Sequence, residues 1–239
     1  MTPEDIVNTL NTRPIAAWAW PRILVGIPME RTISYADQVF MNFLMIAAQG
    51  PAFIQLKYSC RVDLQRHMMV KELLASNYTH LLMLDLDHQH PMNIIQKLAK
   101  WVMLDPSIRI VSGMNFRRTP PYDPVGGLRD TDGSHMTMYE WGQGLIPVDE
   151  CGSASLLVHR SVFEEMEPPW FFNLYDEPWK DNFPGEDVAF CRKAKAHGIQ
   201  TWIDSTTVSP HCTVGLVSEE TFRLWEAKHM TEVTEEVRA

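Results

Sequence analysis

Two carboxylates, Asp85 and Asp87, leave the apolar run Leu81 to Leu84 two residues apart. If the chain turns there, both can face one divalent cation. Hard cations such as Mg²⁺ and Mn²⁺ take oxygen ligands and keep open positions for phosphate oxygens. Such an ion would offset the charge of a departing diphosphate, which acids alone would repel. Paired aspartates also occur in ordinary turns, so the spacing by itself does not decide the matter. A second acidic pair, Glu186 and Asp187, follows Gly185 at the start of a helical pattern. Acids in a first helical turn complement the macrodipole. A positioned carboxylate there could equally take the proton of an attacking hydroxyl. His211 lies in the segment Val208 to Gly215. An imidazole beside oxygen ligands would favour Mn²⁺ over Mg²⁺. His88 and His90 flank the first acidic pair and read as outer or solvent groups, because three imidazoles on one ion would suit Zn²⁺ better.

The elements that must position these groups alternate. Ile23 to Ile27 reads as a buried strand ending at Pro28. Ser34 caps a helix over Tyr35 to Ala48, closed by Gln49-Gly50-Pro51. Phe53 to Lys57 predicts a second strand and Val62 to Ala75 a helix. His80 to Leu84 is apolar after its first residue, as in a central parallel strand. Pro91 opens a helix to about Leu104, and Ile108 to Ser112 is a fourth strand. This order predicts an α/β fold with a mostly parallel central sheet and helices on both faces. Ligands then bind beyond the carboxyl ends of the strands, where Asp85 and Asp87 stand. The second half is less regular. Asn115 to Gly144 reads as loops and short strands, Ser155 to His159 as a strand and Ser161 to Met166 as a short helix. Pro168 to Pro184 is an aromatic loop. Glu186 to His197 is a helix closed by Gly198, Gln200 to Ile203 a strand, and Ser218 to Lys228 a last helix, with a frayed charged tail from Thr231.

The chain has 239 residues and a formal net charge of −9. That balance argues against a broad phosphate-tracking surface, which needs clustered Lys and Arg. Cys60, Cys151, Cys191 and Cys212 are scattered, with no CxxC pair, as expected of a reduced, intracellular protein. The first residues lack the basic and apolar regions of a signal peptide, and no apolar run reaches membrane-spanning length. A cytoplasmic location, in a bacterial or phage-infected cell, is the expectation.

Taken in order, several segments resemble the GT-A glycosyltransferases, in particular small family-2-like members from bacteria and phages. Ile23 to Pro28 looks like their first donor-binding strand. Thr79 to Asp87 is similar to their strand and DxD metal motif. Cys151 to Phe163 resembles their acceptor-side segment, and Gly185 to Ala194 their "GEDvdFCrrA" helix. The resemblance spans about residues 22 to 215. It implies one GT-A domain over 1–239, with a nucleotide-sugar-binding half (22–114), an acceptor and metal half (115–215), and a terminal helix and tail (216–239). It implies that Asp85 faces the nucleotide ribose as well as the ion, that Asp87 and His211 hold Mn²⁺ or Mg²⁺, and that Arg66 reaches toward the donor. Asp187, or Glu186, would be the base of an inverting enzyme. Arg117 and Arg118, after the fourth strand, would pair with the diphosphate or form a solvated basic turn. Trp170, Phe171, Trp179 and Phe183 would form either a lid over the sugar or an aromatic minicore under the loop.

Family-2 enzymes hold the donor base with acids soon after the first strand. Here Glu30 and Asp63 are the candidates, beside Pro28, and a UDP-sugar is the favoured donor. The acceptor would be a hydroxyl of a saccharide, a small molecule or a hydroxymethylated pyrimidine in phage DNA. Two other functions compete. A sugar-phosphate nucleotidyltransferase would need a glycine-rich, basic loop after the first strand, where this chain has Pro28-Met-Glu-Arg-Thr-Ile33. A nucleotide-sugar-binding protein without catalysis would keep the same fold.

Overall fold

The computed structural model describes residues 20–29, 42, 45, 46, 52–58, 61–131, 135–172, 185–213 and 216–236. Apart from residues 42, 45 and 46, the helix expected over Tyr35 to Ala48 lies outside the described residues, and so do Glu30, Trp179 and Phe183. The first half runs β1 (Ile23–Met29), β2 (Ala52–Tyr58), α1 (Val62–Ala75), β3 (His80–Leu84), α2 (Ile94–Leu104) and β4 (Ile110–Met114). The second runs β5 (Gly126–Arg129), β6 (His135–Thr137), β7 (Leu145–Val148), β8 (Glu150–Cys151), β9 (Ser155–His159), α3 (Arg160–Glu165), α4 (Glu186–Ala196), β10 (Thr201–Val208), β11 (His211–Cys212), β12 (Leu216–Val217) and α5 (Glu219–Glu236).

Seven strands form the main sheet in the order β2-β1-β3-β9-β4-β10-β7. β1 runs parallel to β2 and β3, and β4 parallel to β10. β9 enters between β3 and β4 and runs antiparallel to both, and β7 closes the edge antiparallel to β10. Five of the seven strands thus share one direction, as the mostly parallel sheet expected from sequence requires, and β9 and β7 oppose it. A fully buried strand carries the same apolar signature in either direction, so composition cannot reveal that β9 inserts antiparallel. Two small antiparallel sheets, β6-β5-β8 and β11-β12, lie beside the main one.

Both faces are covered, as expected. All five residues of β3 are buried, and they alternate between two cores. Leu81 and Met83 pack with Met69, Val70 and Leu73 of α1. Leu82 and Leu84 pack with Ile94, Leu98 and Val102 of α2. Each such side chain contributes roughly 1.5–3 kcal/mol of burial. This anchors β3, and hence the residues that follow it, in the middle of the fold.

Two local expectations change, and one open alternative is decided. Pro91 begins a turn, not the helix: α2 starts at Ile94, whose N–H bonds to the Pro91 carbonyl at 2.9 Å. The charged tail does not leave the helix at Thr231, since α5 continues to Glu236. Trp170 and Phe171 are core residues, not lid residues. The Trp170 indole donates to the carbonyls of Phe163 and Met166, and Phe171 stacks on Phe190 of α4 with centroids 4.6 Å apart. Gly198 closes α4 with a φ of +73°, a conformation that suits glycine.

Candidate active site

The site grows from the end of β3. Pairing with β9 runs one residue past Leu84, because the Asp85 N–H donates to the Ala154 carbonyl at 2.9 Å. Residues 151–153 are thereby carried beside Asp85. α1 supplies Arg66 from below, with 2% of its surface exposed. Its Nη2 donates to both Asp85 oxygens (2.9 and 3.1 Å), its Nε to Glu186 Oε1 (3.2 Å) and its Nη1 to the Ser153 carbonyl (3.5 Å). Burial disfavours the charge of Arg66, but Asp85, Glu186 and Asp187 more than offset this and raise its pKa. The hydrogen bonds that the resemblance would aim at a donor are thus spent within the protein, clamping two carboxylates from distant segments.

Asp187 has a different environment. Its Oδ1 accepts the Val188 N–H at 2.8 Å. Burial, and next the Glu186 charge, push its carboxyl up to about 6, against the opposing pull of the Val188 N–H and Arg66. Gly152 borders this carboxylate: a methyl group there would lie 3.8 Å from Asp187 Oδ2 and 2.9 Å from a Val125 methyl. The Ser153 hydroxyl, in the same segment, is buried and makes no hydrogen bond among the described residues.

A second cluster lies two residues further on. The segment 87–89 lies alongside 210–212. Cys212 N–H donates to the Asp87 carbonyl (2.7 Å) and Gln89 N–H to the Pro210 carbonyl (2.9 Å), and His88 bridges His211 in antiparallel fashion. Asp87 consequently meets both imidazoles. Its Oδ1 lies 2.9 Å from His88 Nδ1 and its Oδ2 3.1 Å from His211 Nε2. The two rings stack with centroids 4.0 Å apart. Burial alone would raise the Asp87 carboxyl, but hydrogen bonds and charge from His211 and His88 outweigh it and hold the group well below the usual carboxylate range. Asp87, His88 and His211 each offer one ligand atom, all within 4.8 Å of one another, a set able to hold a metal ion.

The proton on His211 can be placed. Its Nδ1 lies 3.0 Å from the Phe116 carbonyl, which only accepts, so Nδ1 carries the hydrogen. In the neutral ring Nε2 then presents a lone pair toward Asp87. Such a second hydrogen bond is how ligating histidines are held in one tautomer. Arg118 closes the cluster, with Nη2 2.5 Å from Asp87 Oδ2 and Nε 3.2 Å from His211 Nε2.

The remaining sequence candidates are dispersed. Asp63 is buried at the start of α1 and takes both Nε (3.1 Å) and Nη2 (2.5 Å) of Arg61. That hydrogen bond and charge hold its carboxyl low. Pro28 sits at the carboxyl end of β1 in register with Lys57. Arg117 pairs with Asp123 at 3.1 Å. Asp85 and Asp87 point to different partners, the first to Arg66 and the second to the histidines. His88 reads from sequence as an outer group, yet it stands in the cluster, while His90 is a buried support. His90 donates from Nε2 to the Asp85 carbonyl and accepts at Nδ1 from Ser209, both at 2.9 Å. Burial first, and the nearby His88, lower its pKa to about 3. Spacing gave no signal to separate them, since residues two apart fall on one face of an extended chain and both are buried.

No protein-family model and no curated protein matches this chain. Among solved structures it is similar to the crystal structure of A197 from STIV, with a TM-score of 0.59 and 21% identity over 80% of this chain and 86% of that one. Likeness at that identity shows a shared mixed α/β fold.

Proposed function

We propose that this protein is a metal-dependent glycosyltransferase of the GT-A type, moving a sugar from a nucleoside-diphosphate donor to a hydroxyl acceptor. The observation that carries the reading is the pair of abutting clusters at the carboxyl end of β3: one with a carboxylate poised near neutrality, the other with the donor set of a divalent ion. Asp87, His88 and His211 would hold Mn²⁺ or Mg²⁺. That ion would supply positive charge against the leaving diphosphate.

The chain's own residues account for the other tasks. Asp85 is fixed by Arg66, and its oxygens have lone pairs to spare for ribose hydroxyls. Glu186 is engaged by Arg66, which leaves Asp187 as the base. A carboxyl titrating near 6 accepts a proton readily at neutral pH, and its Oδ2 lies on the Gly152 side. Arg118 would pair with phosphate oxygens. A UDP-sugar is the favoured donor; a saccharide, a small molecule or a hydroxymethylated pyrimidine is the acceptor class.

A thermal-shift panel of nucleotide sugars with and without Mn²⁺ tests this, since ligands of the folded state raise the midpoint. We expect a metal-dependent rise with one nucleoside-diphosphate sugar, together with slow Mn²⁺-dependent donor hydrolysis. Asp87→Ala abolishes that hydrolysis while the protein stays folded. Undiminished hydrolysis in that variant removes the mechanism. Pyrophosphate release from a nucleoside triphosphate and a sugar 1-phosphate would make the protein a nucleotidyltransferase instead.

A further inference from the structure

Asp87 Oδ2 and His211 Nε2 are two acceptors 3.1 Å apart. With the Nδ1 hydrogen of His211 committed to the Phe116 carbonyl, nothing within the pair itself reconciles them while the ring is neutral. A shared cation does, and the chain provides one. Arg118 donates from Nη2 to the carboxylate and from Nε to the imidazole. These are the same lone pairs that a divalent ion would need. The two cations are mutually exclusive on electrostatic grounds as well, since a guanidinium and a doubly charged ion repel strongly at contact distance.

The surroundings of Arg118 suit an exchange. Its backbone segment is held: Phe116 bridges Pro124, and Arg117 N–H donates to the Asp123 carbonyl at 3.0 Å. Its side chain is not enclosed, being 51% exposed. The guanidinium can therefore swing on a fixed base without unfolding anything, and it remains hydrated as it leaves. Its planar fork matches two phosphate oxygens at once. The same segment also orients the imidazole, through the Phe116 carbonyl.

We infer that Arg118 is a built-in counter-cation of the Asp87–His211 pair, displaced when a divalent ion binds and then free to grip the anion that the ion brings. This rests on the reading of Asp87, His88 and His211 as ligands. It makes metal and diphosphate binding cooperative: an ion arriving alone must evict the arginine, whereas an ion arriving with a diphosphate gives the arginine a new partner.

The test is a titration of the whole protein with Mn²⁺ alone, followed by the spectroscopic signal of free Mn²⁺, for the wild type and for Arg118→Ala, Arg118→Lys and Asp87→Ala. Exposed ion pairs of this kind are modest, so we expect Arg118→Ala to bind Mn²⁺ roughly fivefold more tightly than the wild type. Arg118→Lys, which keeps a charge but not the fork, falls between them. Asp87→Ala loses the binding. Equal or weaker binding by Arg118→Ala, with dependence on Asp87 retained, overturns this inference and leaves the metal site standing. Mn²⁺ binding that does not depend on Asp87 in any variant overturns the metal site, and the inference with it.

Discussion

Glu186 and Asp187 are adjacent in sequence yet chemically unlike, because one reaches a guanidinium and the other does not. Glu186 pairs with Arg66 at 3.2 Å, while Asp187 bears the cost of burial and of its neighbour's charge and is pushed up to about 6. Its folded pKa therefore lies above that of the unfolded chain, near 3.8. The folded protein takes this proton first, so the associated stability is complete below about pH 4 and lost as pH rises through 6. Asp187→Asn should accordingly stabilise the fold at pH 8 by on the order of 1–2 kcal/mol after solvent screening, seen as a higher melting temperature. The gain should vanish near pH 4; melts at the two pH values check it. In the proposed reaction the same variant lowers the transfer rate by about 10²–10⁴-fold, and the wild-type rate falls off below pH 6, as initial rates across pH would show.

At the scale of elements, β4 does two jobs: it pairs with β9 and β10, and it delivers Asn115 to Arg118 to the site. Gly113 permits both. A methyl group there would stand 2.7 Å from the Ser155 hydroxyl and 2.7 Å from the Thr207 carbonyl, on the strands to either side. One of those atoms is backbone and cannot step aside. Gly113→Ala should destabilise the fold by about 1–3 kcal/mol, seen as a lower denaturant midpoint at unchanged slope. The elements themselves were mostly legible. Val62–Ala75, His80–Leu84 and Ser155–His159 fall where periodicity and apolar runs put them. The direction of β9 was not legible, because pairing partners are chosen by the assembled sheet. The aromatic loop left two readings open for a similar reason: large rings serve a lid or a core equally well until Phe190 is seen beneath Phe171.

For the whole molecule, acid is the informative perturbation. His80 and His90 are buried, and burial lowers both to about 3, with His159 adding to the effect on His80 and His88 on His90. The unfolded chain binds these protons near 6.5, the folded chain only near 3. The stability they carry is present above 6.5 and is lost progressively as pH falls toward 3. Asp187 acts in the opposite sense, but it is one group against two. We expect the melting temperature to drop between pH 7 and pH 5, and His80→Phe to flatten that slope. A slope unchanged by the substitution would mean that His80 titrates normally.

The sequence by itself determined where strands and helices form, which face of each is buried, and that carboxylates follow the central strand. These are consequences of local pattern, since side-chain periodicity and the burial of apolar runs are decided within ten or fifteen residues. Only the tertiary structure decided which acid has which partner. Arg66, Asp85 and Glu186 meet across 120 positions of chain, and His88, His211, Phe116 and Arg118 converge because the segment 87–89 lies along 210–212. Two aspartates with the same spacing can share one ion or serve two neighbours, and the difference lies in through-space electrostatics that no local pattern encodes.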